Sequence, residues 1–340
     1  MSTLLEPATI VAIWSVLLAF AVLAYVVLDG FDLGVGILFA VERRRDERDA
    51  MVNTIAPVWD GNETWLVMGG GGLFAAFPLA YAVILPALYP ALIGMLLALI
   101  LRGVAFEFRF QARGWGRAWW DLAFFGGSFL AALCQGLTLG GLLQGIHVAN
   151  DAYAGGWWDW LTPFTVLCGV AVVVGYALLG ACWLVWRTDG ALQALNRRYA
   201  GVLAVAALTL IGAVSLWTPF LNERFAQRWF HWPGILLTSP VPLLVLLAGW
   251  LMRRGLREGH HLTPLLCAEA WVVLCYAGLG ISFWPLIVPP DITIWQAAAP
   301  PESQLFLLVG ALVMMPVVLG YSAYAYWIFR GKVAPGTQFH

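Results

Sequence analysis

Apolar runs of roughly 20 residues, the length that crosses a bilayer as a helix, recur nine times in this chain of 340 residues. Their limits are 9–41, 52–76, 80–102, 120–144, 161–186, 200–220, 235–252, 264–285 and 304–329. A backbone immersed in hydrocarbon must satisfy its own N–H and C=O groups, and runs of this length do so as helices. With 61% hydrophobic and 11% charged residues and a mean hydropathy of +0.82, the chain reads as an all-α integral membrane protein. We expect one membrane domain over 1–340, with about nine transmembrane helices. The first run, about 30 residues from Thr9 to Val41, is too long for a signal-peptide core and lacks a basic leader. No cleavable signal is expected, and the run must tilt, bend or project to fit the bilayer.

Basic residues set the orientation. All of the 18 Lys and Arg except Arg224 and Arg228 fall on one side of these spans, which the positive-inside rule makes cytoplasmic. The N-terminus is then outside and the C-terminus inside. Trp157, Trp158, Trp160, Trp229, Trp232, Trp284 and Trp295 mark outer span ends, and Trp119, Trp120, Trp186 and Trp327 mark inner ones, as interfacial belts do. A formal net charge of −1 points away from nucleic acid as a partner.

Two stretches place carboxylates where hydrocarbon is expected: L-D-G-F-D-L-G-V-G at 28–36 and P-V-W-D-G-N-E-T-W at 57–65. A charge near mid-bilayer costs several kcal/mol, roughly 2.5–3.5 on insertion scales, so such residues line polar pathways or protein interfaces. Asp29 and Asp32 are spaced i, i+3, as are Asp60 and Glu63, which puts each pair on one helix face. Asp60 lies about eight residues, or ~12 Å, and Asp29 about twelve, or ~18 Å, from the cytoplasmic ends of their spans. Arg102 and Glu107 close the inner end of the third span, and Glu269 opens the eighth on the same side. The acids are biased to the half from which cytoplasmic protons arrive. A purely structural use competes with this, in which Asp29, Asp60 and Arg102 pair with one another or cap broken helices. Four acids on two neighbouring spans exceed what helix association needs, since Ser, Thr or Asn would serve at lower cost.

The glycines nearby read as close helix packing: Gly30 and Gly34 form a small-x-x-x-small face, and Gly69–Gly72 is an unbroken run. Pro57, one turn before Asp60, is placed to kink the second span. The five cysteines lie in apolar segments without a C-x-x-C pair and read as small hydrophobes. His147, His231, His260, His261 and His340 all fall at span ends, in loops or at the terminus. None is placed to ligate a haem between helices, and no zinc, iron–sulfur, P-loop or dinucleotide pattern is present. We expect no catalytic residue, metal or redox cofactor in this chain.

The segments D-G-F-D-L-G-V-G (29–36), I-A-P-V-W-D-G-N-E-T-W-L (55–66), G-G-L-F-A-A-F-P (71–78) and R-G-V-A-F-E-F-R (102–109) resemble subunit II of the cytochrome bd-type quinol oxidases. G-S-F-L (127–130), L-L-Q-G (142–145), L-T-P-F (161–164) and T-I-W-Q-A-A-A (293–299) extend the likeness over nearly the whole chain. The tail Y-W-I-F-R-G-K-V (326–333) is more similar to the cyanide-insensitive branch. One departure is Gln296, where the family often has an acid after the tryptophan.

The resemblance implies a haem-free subunit in a bacterial cytoplasmic membrane, forming a heterodimer with a larger subunit I. That partner would hold two b-type haems, one d-type or b-like haem, and the quinol site. The complex would oxidise quinol outside, reduce oxygen to water in aerobic respiratory electron transport, and draw its protons from the cytoplasm. It further implies that positions matching Asp29, Asp60, Arg102 and Glu107 lie on or near the proton route, with Asp32 and Glu63 beside them, and that Trp65 lies near the oxygen path. In some members a structural quinone sits in this subunit, and small extra subunits are compatible with it. The competing classes are a proton-coupled secondary transporter, which would need interrupted helices in both halves, and an interaction-only scaffold, which would leave the acids idle.

The orientation is open to direct test. Reporter fusions after Arg48 and after Lys332 should report cytoplasm, and fusions near Gly155 and Pro290 the outside. A reversal at any of the four would break the nine-span topology.

Overall fold

A computed structural model describes residues 6–333; His340 and the ends of the expected 1–340 domain lie outside the described residues. Among the described residues, eight helices are long and apolar enough to cross a membrane. They are α1 (Pro7–Leu38), α4 (Pro78–Gln111), α5 (Trp115–Gln144), α6 (Pro163–Arg187), α7 (Gly190–Trp217), α10 (Pro240–Glu258), α11 (Thr263–Phe283) and α13 (Pro301–Ile328). Five of them open on proline, whose fixed φ and missing N–H suit the first helical position.

The second expected span is broken. Its first residues belong to α2 (Arg45–Ile55), which begins in the charged stretch R-D-E-R-D, and the rest to α3 (Trp59–Ala76). Pro57 sits in the turn between them, where its missing N–H and ring cannot continue a helix. With its glycine run and two acids, α3 is too polar to rank with the eight apolar helices. The third expected span, 80–102, is too short by nine residues at its C-terminal end, because α4 continues through a charged face to Gln111. Arg102 therefore lies inside a helix rather than at its end. Within α4, Pro86 and Pro90 flank Leu88, which leaves helical geometry at φ −114° and ψ 15°, a proline kink.

The remaining elements are short. α8 (Glu223–Phe230), α9 (Gly234–Thr238) and α12 (Ile294–Ala297) lie between the spanning helices. β1 (Val148–Ala149) pairs with β2 (Ala152–Tyr153), and β3 (Leu286–Val288) with β4 (Ile292–Thr293), as small antiparallel hairpins. Gln296 finds its use here: with Thr293 it forms the capping box that starts α12, work a carboxylate could also do.

The core forms where α1 crosses α6 and α5 packs on both α4 and α6. At the α1–α6 crossing a methyl group on Gly34 would stand 1.8 Å from the Tyr176 carbonyl oxygen, and one on Gly180 would stand 2.3 Å from the Gly34 backbone. Here two backbones touch, so the small-x-x-x-small reading of α1 holds at Gly34. It fails for 69–72: Gly70 and Gly71 have nothing within 4 Å of an added Cβ, and Gly69 and Gly72 have only ordinary contacts. Packing within this chain does not account for that run.

Below the core, Arg109 is fully buried. It donates to Asp121 at 2.6 Å and to Asp49 at 2.7 Å. Asp121 also accepts from Arg48 at 3.0 Å, and Asp49 from Arg117. Four basic and acidic residues from α2 and α5 are thus gathered on one α4 side chain, which fixes α2 against the bundle. Gly34→Ala should lower the melting midpoint of the detergent-purified protein, at a cost of about 1–3 kcal/mol or more for forcing backbones apart. Gly70→Ala should leave it unchanged or raise it slightly, since Ala is the better helix former. Equal tolerance of both would contradict the crossing.

Candidate functional site: a buried arginine and its carboxylates

The site is assembled around Arg102, which has no exposed surface. Its Nη2 donates to Asp29 Oδ1 at 3.1 Å, and its Nη1 to Glu63 Oε1. The guanidinium also lies 5.4 Å from the centre of the Trp59 ring, a cation–π contact. Three helices meet here because α1, α3 and α4 each bring one charged residue to the same point. The α4 backbone can come near α5 at this level because Gly127 has no side chain: a Cβ there would lie 2.7 Å from the Ala98 oxygen and 3.0 Å from Arg102 N.

Asp29 and Asp32 are both wholly buried but face different partners. Asp32 Oδ2 accepts from Asn62 Nδ2 at 2.7 Å; the same amide donates to Leu28 O at 3.1 Å. Tyr326 on α13 donates to Asn62 Oδ1 at 3.0 Å. Around Asp29, Tyr25 stands one turn earlier on α1 and interacts with its carboxylate. Tyr25 accepts from Gln135 Nε2 at 2.7 Å, and Tyr176 donates to Gln135 Oε1 at 2.6 Å. The charged centre therefore continues as a seam of uncharged polar side chains across α1, α3, α5, α6 and α13. Glu269, near the start of α11, is electrically coupled to Tyr176 and Tyr326 at the far side of that seam.

The sequence-based set is thus partly brought together. Asp29, Glu63 and Arg102 meet directly, and Asp32, one turn along α1 from Asp29, is hydrogen-bonded instead to Asn62 of α3. Asp60 lies in the first turn of α3, where the helix N-terminus favours a carboxylate, but its side chain is on the exposed flank. Glu107 is also exposed: five residues beyond Arg102, it points about 140° away around α4. Trp65 is buried among Ala21, Tyr25 and Met315, with its ring 5.6 Å from that of Phe20. Asn62, Tyr25, Gln135, Tyr176 and Tyr326 were not singled out in the sequence, since lone neutral polar residues give no signal of their partners.

Two carboxylate oxygens, Asp29 Oδ2 and Asp32 Oδ1, are buried without a hydrogen-bond partner among the described residues, as is Glu269 Oε2. A buried carboxylate oxygen left so is costly. It is satisfied by water or by a proton on the acid itself, and both are the components of a proton path. His147, His231, His260 and His261 are exposed at helix ends and loops. Among the described residues no cluster of three or more His, Cys, Asp or Glu is arranged for a metal ion.

The chain is 33% identical to the cytochrome bd-I ubiquinol oxidase subunit 2 of Escherichia coli strain K12 over 368 aligned residues, covering 94% of each protein. It is 28% identical to the cytochrome bd ubiquinol oxidase subunit 2 of Bacillus subtilis strain 168, covering 95% of this chain and 96% of the relative. Its fold superposes on a chain of the bd oxidase from Geobacillus thermodenitrificans with a TM-score of 0.78 at 16% identity, covering 94% and 98% of the two chains. Residues 10–329 match the family model described as cytochrome bd terminal oxidase subunit II, and the chain belongs to that family.

Proposed function

We propose that this chain is the haem-free subunit of its quinol oxidase and delivers cytoplasmic protons to a haem-bearing subunit I along the acids Asp60, Glu63, Asp29 and Asp32, gathered around Arg102. The observation that carries this reading is the Arg102 centre itself: a guanidinium without exposed surface, held between Asp29 and Glu63, beside the buried Asp32 carboxylate, whose Oδ1 has no hydrogen-bond partner among the described residues. A structural ion pair would be expected to close on itself. This one leaves acceptor atoms open, and an exposed acid, Asp60, stands one turn before Glu63 on α3. That flank suits the mouth of a path, with Glu63 next and Asp29 and Asp32 deeper.

In this scheme Arg102 does not move protons. Its fixed positive charge lowers the cost of carrying negative charge on Asp29 and Glu63, while burial raises it, and the opposition lets an acid both hold and release a proton. Glu107, turned away from Arg102, acts at the surface rather than within the path. Trp65, packed against Tyr25, walls the apolar side where a small neutral molecule such as oxygen could pass. The positive-inside orientation puts Asp60 and Glu63 toward the cytoplasm, in the membrane of a bacterial cell. The b-type and d-type or b-like haems and the quinol-oxidising site belong on subunit I, which this chain also steadies. Oxidase family membership leaves the secondary-transporter reading without support.

The test is replacement of acids in the two-subunit enzyme. Asp60→Asn and Asp29→Asn preserve size and hydrogen bonding but remove the titratable proton. Each should lower quinol-driven oxygen consumption about tenfold or more, on the scale of losing a proton-transfer group, with haem content near normal. Asp291→Asn, in the β3–β4 loop at the other end of the helices, should have a mild effect. Full haem with the parent rate would refute the relay. Loss of haem would favour a structural role for these acids.

A further inference from the structure

A cavity of about 650 Å³ lies at the end of the helices where α1 begins, between the end of α5, α8 and the loop after α11. The amphipathic helix α8, E-R-F-A-Q-R-W-F, shapes it. Arg224, Gln227, Arg228 and His231 follow one another at helical spacing and all line the cavity. The other side of α8 is anchored: Phe225 is buried, with its ring 6.3 Å from that of Phe283, and Trp229 Nε1 donates to Ser282 Oγ at 2.8 Å.

The two arginines are the exceptions to the basic-residue asymmetry of the whole chain, and both face one cavity. Their hydrogen bonds to protein use Nη1 alone. Arg224 Nη1 donates to Pro290 O at 2.6 Å. Arg228 Nη1 donates to the carbonyl oxygens of Ile281 at 3.0 Å, Ser282 at 3.3 Å, and Trp284. These bonds tie each guanidinium, through Nη1, to the end of α11 or the loop after it. The Nε–Nη2 edge of each, the fork that grips an oxyanion through two parallel bonds, has no acceptor among the described residues. Trp232 and Trp284 border the cavity and are 76% and 47% exposed, and Leu236 and Leu237 of α9 beside it are 57% and 66% exposed. Indole rings next to bare leucines mark the level where headgroups give way to acyl chains.

We propose that this cavity binds the phosphate of an acidic phospholipid, gripped by the Nε–Nη2 edges of Arg224 and Arg228, with its acyl chains along Leu236 and Leu237. An amphipathic helix with cations on its polar face and aromatics on the other has the chemistry for anionic lipid, and net positive charge distinguishes such a headgroup from a zwitterionic one.

The test uses the purified two-subunit oxidase, delipidated in detergent, with its melting midpoint followed during titration. Phosphatidylglycerol should raise the midpoint saturably, and phosphatidylcholine or inorganic phosphate should not. Arg224→Gln should weaken the phosphatidylglycerol response about tenfold, the scale of losing one charged hydrogen-bonding group, and the double variant with Arg228→Gln should abolish it. Native mass spectrometry should show the same loss of retained phosphatidylglycerol. If the double variant fails to assemble, Arg224→Gln decides alone, because its side chain is exposed and its one bond to protein goes to a loop carbonyl. An equal response to phosphatidylcholine, a response reproduced by inorganic phosphate, or undiminished binding by Arg224→Gln would each overturn the proposal. None of these outcomes bears on the acid path at the other end of the helices.

Discussion

A guanidinium cannot be deprotonated at any working pH, so Arg102, once buried, must be answered by carboxylates. That requirement organises the first half of the chain. Asp29 and Glu63 are drawn to one point, α1 and α3 must approach α4 at that level, and the helices around them must admit close backbones. Gly127 allows the α4–α5 approach beside Arg102, and Gly34 with Gly180 allows the α1–α6 crossing that carries Asp29 and Asp32 inward. Removing one partner of such a buried pair costs about 3–5 kcal/mol, because the survivor is left unpaired. The same helix repeats the device seven residues later: Arg109 lies on the same face of α4 as Arg102, about 10 Å along it. There it collects Asp49 and Asp121. The Arg109 network fastens α2 and leaves a donor, Arg109 Nη1, without a partner among the described residues. The deeper one leaves acceptors open, and function is assigned to it.

The two ends of the molecule carry opposite chemistry. Around Arg102 two carboxylates answer one cation, and around Arg109 two aspartates are shared among three arginines. At the other end, Arg224 and Arg228 are held by backbone carbonyls rather than by acids. A cation fixed by carbonyls keeps its full charge for a ligand, whereas one fixed by carboxylates has spent it on the fold. This contrast separates a region suited to moving protons from one suited to holding an anion.

Much of the helical plan was legible in hydropathy, since satisfying backbone groups in hydrocarbon leaves few options. What escaped the sequence were features set by tertiary contacts. The split of the second span was signalled by Pro57, but not the length of α2, whose charged first turn reads as loop. The inner third of α4 was missed because its charges are paired rather than solvated. Asp29, Glu63 and Arg102 stood out because ionised groups in apolar runs are rare. Asn62, Gln135 and the three tyrosines did not, because each is unremarked until the fold sets it beside another. Glu107 was grouped with Arg102 by proximity in sequence, and helical geometry separates them. The glycines at 69–72 looked like a packing surface, and the neighbours expected for one are absent from this chain's own helices.

The central claim is that the Arg102 centre carries protons rather than only joining helices. Proton uptake from the cytoplasmic side, measured during a single turnover of the reduced oxidase in vesicles, tests it most directly when Asp29→Asn is compared with the parent. The account predicts that uptake slows by about tenfold or more while the haem spectrum is unchanged. Uptake at the parent rate in a fully assembled Asp29→Asn enzyme would contradict it.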